Sequence, residues 1–316
     1  TVMPNYNGVW SLSTQFQYRT GWPTSISGNV AMSFGGNVSG YVNTIQHFFI
    51  DTLGNAIDFG DLSEGKNTGA ATCSATRAVF AGGYNGSASV NTIEFVTIVS
   101  ASNSSDFGDL TVARSGLCGG GSATRGLFAG GGSNVIDYIT ISSEGNATDF
   151  GDMYVAAGKP GMCGSSTRAL IAGGYVHPNY YNNVGYVTIA NTGSTTNFGD
   201  LSAARYSAEG ASSATRAVFG GGIEAGDTTV DTMDYFTIAS TGDATDFGNL
   251  TATRKDHGSA SSKVRAVFTG GKAAGSKTAT IDYITIASTG NGADFGDLLA
   301  ANQDIESASN SHGGIA

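Results

Sequence analysis

Short apolar runs separated by glycine- and serine-rich stretches recur along the whole chain. A run such as "TRAVFAGG" (76–83) ends in a glycine pair, and a second run such as "NTIEFVTI" (91–98) follows after a variable stretch. Runs of this length, rich in β-branched and aromatic residues, are typical of strands, and none keeps a helical period over a useful length. The pattern therefore predicts an all-β fold.

The same unit is written six times. An Asp-Phe-Gly or Asn-Phe-Gly tripeptide opens a motif at 58–62, 106–110, 149–153, 197–201, 246–250 and 294–298, and the glycine pair repeats in step with it. A lone Asp-Phe-Gly could indicate a magnesium site for phosphoryl transfer. Because a metal site is needed once, six evenly spaced copies indicate a structural corner instead, in which Asp and Gly form a turn that starts a strand.

Each unit of about 48 residues holds four strand-sized pieces, labelled a to d, with the glycine pair ending piece b and the Phe motif in piece d. A single four-stranded sheet cannot bury both of its faces, whereas six arranged radially can. The repeat therefore predicts a six-bladed β-propeller with four-stranded blades.

The ends of the chain predict how the ring closes. The last unit, "LLAANQDIESASNSHGGIA", aligns onto "LTATRKDHGSASSKVRAVF" and so begins a further piece a, while the first unit lacks one. The C-terminal segment 304–316 should supply the innermost strand of the first blade, which removes exposed sheet edges. This gives a propeller over 29–316 and an N-terminal arm over 1–28, whose Trp10 and Trp22 are candidate attachment residues for the rim or for a partner chain.

The glycine pair, the aromatic residue of piece c, the Phe of piece d and segments such as "LTVAR" resemble the kelch repeat, and the resemblance covers 29–316. It implies the propeller fold but does not fix a function. The stretch "GVWSLSTQFQYRTGWP", the "DFGDL" blades and the terminal "SNSHGGIA" are also similar to propeller proteins of marine bacteriophages, of cyanophage type. That resemblance implies a tail-fibre or decoration protein at the virion surface, in contact with other virion proteins through the arm.

Composition and charge narrow the possible functions. A formal charge of −10 argues against binding nucleic acid, and no apolar run approaches the roughly 18–20 residues that span a bilayer. The three cysteines and four histidines show no metal-ligand spacing, so no cofactor or metal is expected. A complete set of glycosidase carboxylates cannot be assembled either.

The basic residues fall at two repeated positions. One opens piece b on five units and is expected to be structural, with the repeated Asp of a corner as a candidate partner: Arg77, Arg125, Arg168, Arg216 and Arg265. The other follows each corner and should lie in the d–a connections near the central channel, where a basic ring could attract acidic ligand groups: Lys66, Arg114, Arg205 and Arg254.

The b–c loops differ most between units and share a face with the d–a connections, so recognition is expected there. The fourth loop, "YVHPNYYNN" (175–183), supplies candidate ligand-binding residues: Tyr175, His177, Asn179, Tyr180 and Tyr181. The shorter loop of the third unit should leave a notch next to Tyr180 and Tyr181.

These observations predict a non-enzymatic virion-surface module that binds a host-surface glycan or protein. The alternatives are a purely structural virion subunit without a soluble ligand, an intracellular kelch scaffold that binds a peptide, and a propeller glycoside hydrolase.

Overall fold

A computed structural model describes residues 26–315, and this part of the chain is all-β. It contains six four-stranded antiparallel sheets, and strands a to d of each sheet pair in that order. The strands a to d are Glu306–Ser309, Val30–Phe34, Thr44–Phe49 and Ile57–Asp61 in sheet 1; Ala70–Cys73, Arg77–Ala81, Thr92–Thr97 and Ser105–Asp109 in sheet 2; Leu117–Gly121, Arg125–Gly130, Val135–Thr140 and Thr148–Asp152 in sheet 3; Gly161–Gly164, Arg168–Ala172, Asn183–Thr188 and Thr196–Asp200 in sheet 4; Glu209–Ser212, Arg216–Gly220, Thr232–Thr237 and Thr245–Asn249 in sheet 5; and Gly258–Ser261, Arg265–Thr269, Thr280–Thr285 and Ala293–Asp297 in sheet 6.

Shorter elements decorate the loops. Short strands pair in three places: Tyr175–Val176 with Asn179–Tyr180; Arg205–Tyr206 with Ile223–Glu224, which also pairs with Thr228–Thr229; and Lys272–Ala273 with Ser276–Lys277. A 3-10 turn at Gly313–Ile315 follows the last strand. In residues 26–315 no helix is both long and apolar enough to cross a membrane.

The hydrophobic core lies between neighbouring sheets. Strand b is buried almost throughout, because each sheet packs a neighbour on both faces. In strand d the repeated Phe is buried, and its ring packs edge-on against the ring at the strand-c aromatic position, for example Phe150 against Tyr138 at 5.8 Å. The repeated Phe is therefore a core residue of every sheet.

The Asp-Phe-Gly motif does not form the expected turn before a strand. It lies inside strand d, where the register against strand c shifts by one residue: its Asp and its Gly both pair with strand c, and the Phe between them is the extra residue of a β-bulge. A Cβ on Gly151 would lie 2.4 Å from the backbone of Gly193 in the next sheet, and the φ of Gly151 is +144°. Glycine is therefore required where two sheets approach closely.

The chain ends meet in sheet 1. The C-terminal strand Glu306–Ser309 pairs with Val30–Phe34, as the sequence alignment of the last unit predicts. Strand a of every sheet contacts strand a of the next sheet in chain order, and strand a of sheet 1 contacts those of sheets 6 and 2. Of the predicted arm 1–28, residues 1–25 lie outside the described part, and Ile26 packs against the core between sheets 1 and 2.

Candidate functional site

The four basic residues of the d–a connections are buried rather than displayed. Each forms an ion pair with an acid on strand c of the sheet that it leads into: Lys66 with Glu94, Arg114 with Asp137 at 2.7 Å, Arg205 with Asp234 at 2.9 Å, and Arg254 with Asp282 at 3.0 Å. All four basic side chains are at most 2% exposed. The predicted basic ring for acidic ligands is wrong, because these charges are neutralised inside the sheets.

These ion pairs also satisfy the backbone near the glycine pair. The Arg254 guanidinium donates to the carbonyl oxygens of Phe268, Gly270 and Thr280 as well as to Asp282. Burial lowers the pKa of Arg254, while Asp282 acts in the opposite direction. A buried charge needs a counter-charge and hydrogen-bond partners of this kind, so the role of these residues is structural.

The six units already contain the signal for this pairing. Where the basic residue is absent, the acid is absent too. Ala157 stands at the basic position and Gly185 at the matching acidic position, and in the same way Asn302 matches Gln46. Comparing the two positions across the units of one chain would have identified the ion pairs from sequence.

The five Arg residues that open strand b are structural, but they do not pair with the corner Asp. Each guanidinium lies over the aromatic ring of strand c in its own sheet, as Arg216 does over Tyr235 at 4.3 Å. Each also donates to a backbone carbonyl where strand c of the next sheet ends, as Arg216 does to Ile286 at 3.0 Å. The guanidinium donates to these carbonyl oxygens rather than to the corner Asp, because the carbonyl oxygens lie within hydrogen-bonding distance of the stacked guanidinium.

The tyrosine-rich loop forms a hairpin in which Tyr175 pairs with Tyr180. Both rings pack against Tyr206 of the adjacent d–a connection, at centroid distances of 4.5 and 5.5 Å. The Tyr180 hydroxyl donates to Asp227 on the neighbouring b–c loop. Partial burial, then Tyr180 and Asp227, raise the pKa of Tyr206 to about 12. The hairpin is therefore held in one orientation from two sides.

A groove of about 380 Å³ runs beside this hairpin. It is lined by Tyr175, Val176 and His177 of the hairpin, by Gly131 and Gly132 of the short third b–c loop, and by Lys159. The predicted notch is present, but it adjoins Tyr175 and His177 rather than Tyr180 and Tyr181. Tyr180 supports the hairpin from behind, Tyr181 lies at its base, and Asn179 is exposed in the second short strand.

Three residues at the inner end of the groove belong to a ring of six that occupy one repeated position in the six units. The six all have positive φ and are Thr68, Gly116, Lys159, Ser207, Asp256 and Asp304. Five backbone hydrogen bonds connect them in sequence, including Gly116 N–H to Thr68 and Thr68 N–H to Asp304. The Lys159 ammonium donates to Asp256 at 2.5 Å and to Asp304 at 2.9 Å. These two carboxylates outweigh the desolvation of Lys159 and raise its pKa.

Behind this ring lies a cavity of about 50 Å³, lined by the six strands a. Glu209 and Glu306 border this cavity. Burial raises the pKa of Glu209 to about 8. Burial, and next the nearby Glu209, raise the pKa of Glu306. At the far end, His312 bonds to the Cys73 carbonyl, and Gly314 accepts from Ala123. The C-terminal turn thus covers that end, a closure that sequence reasoning missed.

The remaining chemical candidates are buried or lie elsewhere. Trp10 and Trp22 fall outside the described residues. Cys73, Cys118 and Cys163 are free and buried, and burial raises the pKa of each thiol. Among residues 26–315, no three His, Cys, Asp or Glu side chains are arranged to hold a metal ion.

No family model matches the chain, and no curated protein matches it either.

Proposed function

We propose that this chain is a non-enzymatic recognition module, a closed six-bladed kelch-like β-propeller that binds an uncharged host-surface glycan in the groove beside Tyr175. The closed ring is supported by the cyclic contacts between the six strands a. It is also supported by the backbone hydrogen bonds that connect Thr68 with Asp304 and with the other residues of the repeated positive-φ position. A closed ring has no free sheet edge and gives the loops a rigid base.

The groove carries the proposal. Its volume of about 380 Å³ falls in the ordinary range for small-ligand sites, roughly 300–1,000 Å³. A stable protein partner would need a far larger surface, about 800 Å² on each side. The Tyr175 ring is 36% exposed and is backed by Tyr206, so it presents a fixed aromatic face on which the apolar face of a sugar ring can pack.

The charges favour an uncharged sugar over an acidic one. Lys159, the base at the inner end of the groove, is already paired with two carboxylates, so Lys159, Asp256 and Asp304 together carry a net negative charge. Since Lys66, Arg114, Arg205 and Arg254 are buried, they offer no cation to a sialic or uronic acid.

The lining of the groove also supports a binding role rather than hydrolysis. Most glycosidases use two carboxyl groups, one on either side of the scissile bond. Among the described residues that line the groove, none is Asp or Glu.

The resemblance of the motifs "GVWSLSTQFQYRTGWP" and "SNSHGGIA" to those of phage propellers is the basis for placing this module at a virion surface, with the host surface as its target. Detection of the chain on purified virions, and its absence from the soluble fraction of infected cells, is the expected result for that location.

The binding test uses an array of neutral and acidic glycans probed with purified wild type, Tyr175→Ala and Tyr41→Ala. Tyr41 is an equally exposed tyrosine on the first b–c loop and serves as the matched control. We expect neutral glycans to bind wild type and Tyr41→Ala but not Tyr175→Ala. The absence of any glycan binder would favour the purely structural subunit, and binding that survives Tyr175→Ala would remove the groove from the proposal.

A further inference from the structure

The interface between sheets 1 and 2 differs from the other five interfaces. At those five, the Arg that opens strand b fills the outer space between two sheets, stacked on an aromatic ring and bonded to the next sheet. In sheet 1 the Arg position is Val30 and the aromatic position is His47. The space between sheets 1 and 2 therefore lacks the usual guanidinium.

The start of the described chain takes over part of that role. The Ile26 N–H donates to the Val99 carbonyl at 2.9 Å, at the position where Ala239 and Asp51 accept from Arg168 and Arg265. Ile26 also packs against the core between sheets 1 and 2, together with Phe49. An apolar chain segment thus replaces the Arg side chain at this one interface.

Three positions around this interface carry larger apolar residues than the equivalent positions of the other five described sheets. Phe49 occupies the strand-c position that is Thr in the five other sheets. Ile57 occupies the strand-d position that is Ser, Thr or Ala in the others, and Val99 occupies a position after strand c that is Asp, Ser or Ala in the others. Ile57 pairs directly with His47, whose ring lies 5.9 Å from that of Phe49, so Phe49 and Ile57 lie on one face. Ile57 is 54% and Val99 47% exposed. A local group of exposed apolar residues marks an interaction surface.

We propose that this surface, formed by Phe49, Ile57 and Val99, is the docking site of residues 1–25 of the same chain. That segment arrives at the surface through Ile26, which is already bonded in the interface. It contains a single charged residue, Arg19, and many apolar ones, including Trp10, Phe16 and Trp22. Burying such side chains on an apolar surface is favourable, roughly 25 cal/mol for each Å² removed from water.

Tryptophan fluorescence tests the proposal directly, because Trp10 and Trp22 are the two tryptophans of the chain. The variant Phe49→Thr/Ile57→Thr restores the polar residue type of the other sheets, so the sheet itself should fold. We expect its tryptophan emission to shift to longer wavelength and its quenching by acrylamide to increase relative to wild type, with unchanged circular dichroism.

The matched control is Val112→Thr/Leu299→Thr, which removes two apolar residues from d–a connections that are 52% and 50% exposed, close to the 54% of Ile57. Unchanged emission in this control supports the proposal. Equal emission and quenching in wild type and Phe49→Thr/Ile57→Thr would overturn it. A wild-type emission that depends on protein concentration would also overturn it, because the segment would then bind a second copy.

Discussion

Replacing Asp282 with alanine tests whether the buried ion pairs are essential to the fold. Arg254 and Asp282 are 3.0 Å apart, with side chains 1% and 0% exposed. In Asp282→Ala the guanidinium keeps its hydrogen bonds to three carbonyls but loses its counter-charge. A cation would then remain buried without an anion, which is among the most destabilising single changes in a protein.

The expected loss of unfolding free energy is about 3–5 kcal/mol, the usual cost of removing one partner of a buried pair. For about 290 residues that unfold together, the unfolding entropy of roughly 2.1 cal/mol/K per residue converts this loss into a fall in Tm of about 5–8 °C. The double variant Arg254→Ala/Asp282→Ala removes the stranded charge as well. It should therefore cost less than the sum of the two single variants.

The assay is urea unfolding followed by far-ultraviolet circular dichroism on wild type, both single variants and the double variant. Glu144→Ala is the control, since Glu144 pairs with Arg77 at 3.2 Å on the surface and is 52% exposed. That change should cost about 0–1 kcal/mol. A loss in Asp282→Ala no greater than in Glu144→Ala, or additive single-variant effects, would refute the reasoning.

Three further predictions concern stability. Gly151→Ala should lower Tm more than Gly145→Ala, because both glycines have φ near +150° but a Cβ on Gly145 meets open space whereas one on Gly151 meets backbone; equal effects in thermal unfolding would contradict the bulge contact. Burial, then Arg254, lowers the pKa of His257 from 6.5 to about 3. The stabilising contribution of the neutral His257 is therefore complete above pH 6.5 and is lost as the pH falls from 6.5 towards 3. His257→Leu should raise Tm more at pH 5 than at pH 8. Burial raises the pKa of Glu209 from 4.5 to about 8. The contribution of the protonated Glu209 to stability is therefore complete below pH 4.5 and is lost as the pH rises through 8. Glu209→Gln should raise Tm at pH 8 and not at pH 4.5, and the same Tm change at both pH values would count against a buried acid.

The candidate site was only partly predictable. The variable fourth loop and the shortened third loop, which stand out in sequence against the repeated scaffold, are the two b–c loops that line the groove. Which ring would face the groove was not predictable. Tyr175 and Tyr180 alternate with other residues in one short loop, and the hairpin register together with packing on Tyr206 determines that Tyr175 adjoins the groove.

The sequence by itself determined the features that depend on local period. Six copies of one unit gave six four-stranded sheets, and Phe150 and its equivalents are core residues because a large apolar side chain at a repeated position must be buried in every copy. The match between the last and first units even predicted the pairing of the C-terminal strand.

Only the tertiary structure decided the fate of the charges. Arg114 appears in sequence as a polar residue in a loop, yet it lies beneath strand c with Asp137, which is 23 positions away. Whether a charged side chain faces water or a partner depends on where the connections between strands lie relative to the neighbouring strands. The local period of the sequence does not specify that position. The same holds for Lys159, which meets Asp256 and Asp304 because sheets far apart in the chain converge on one ring.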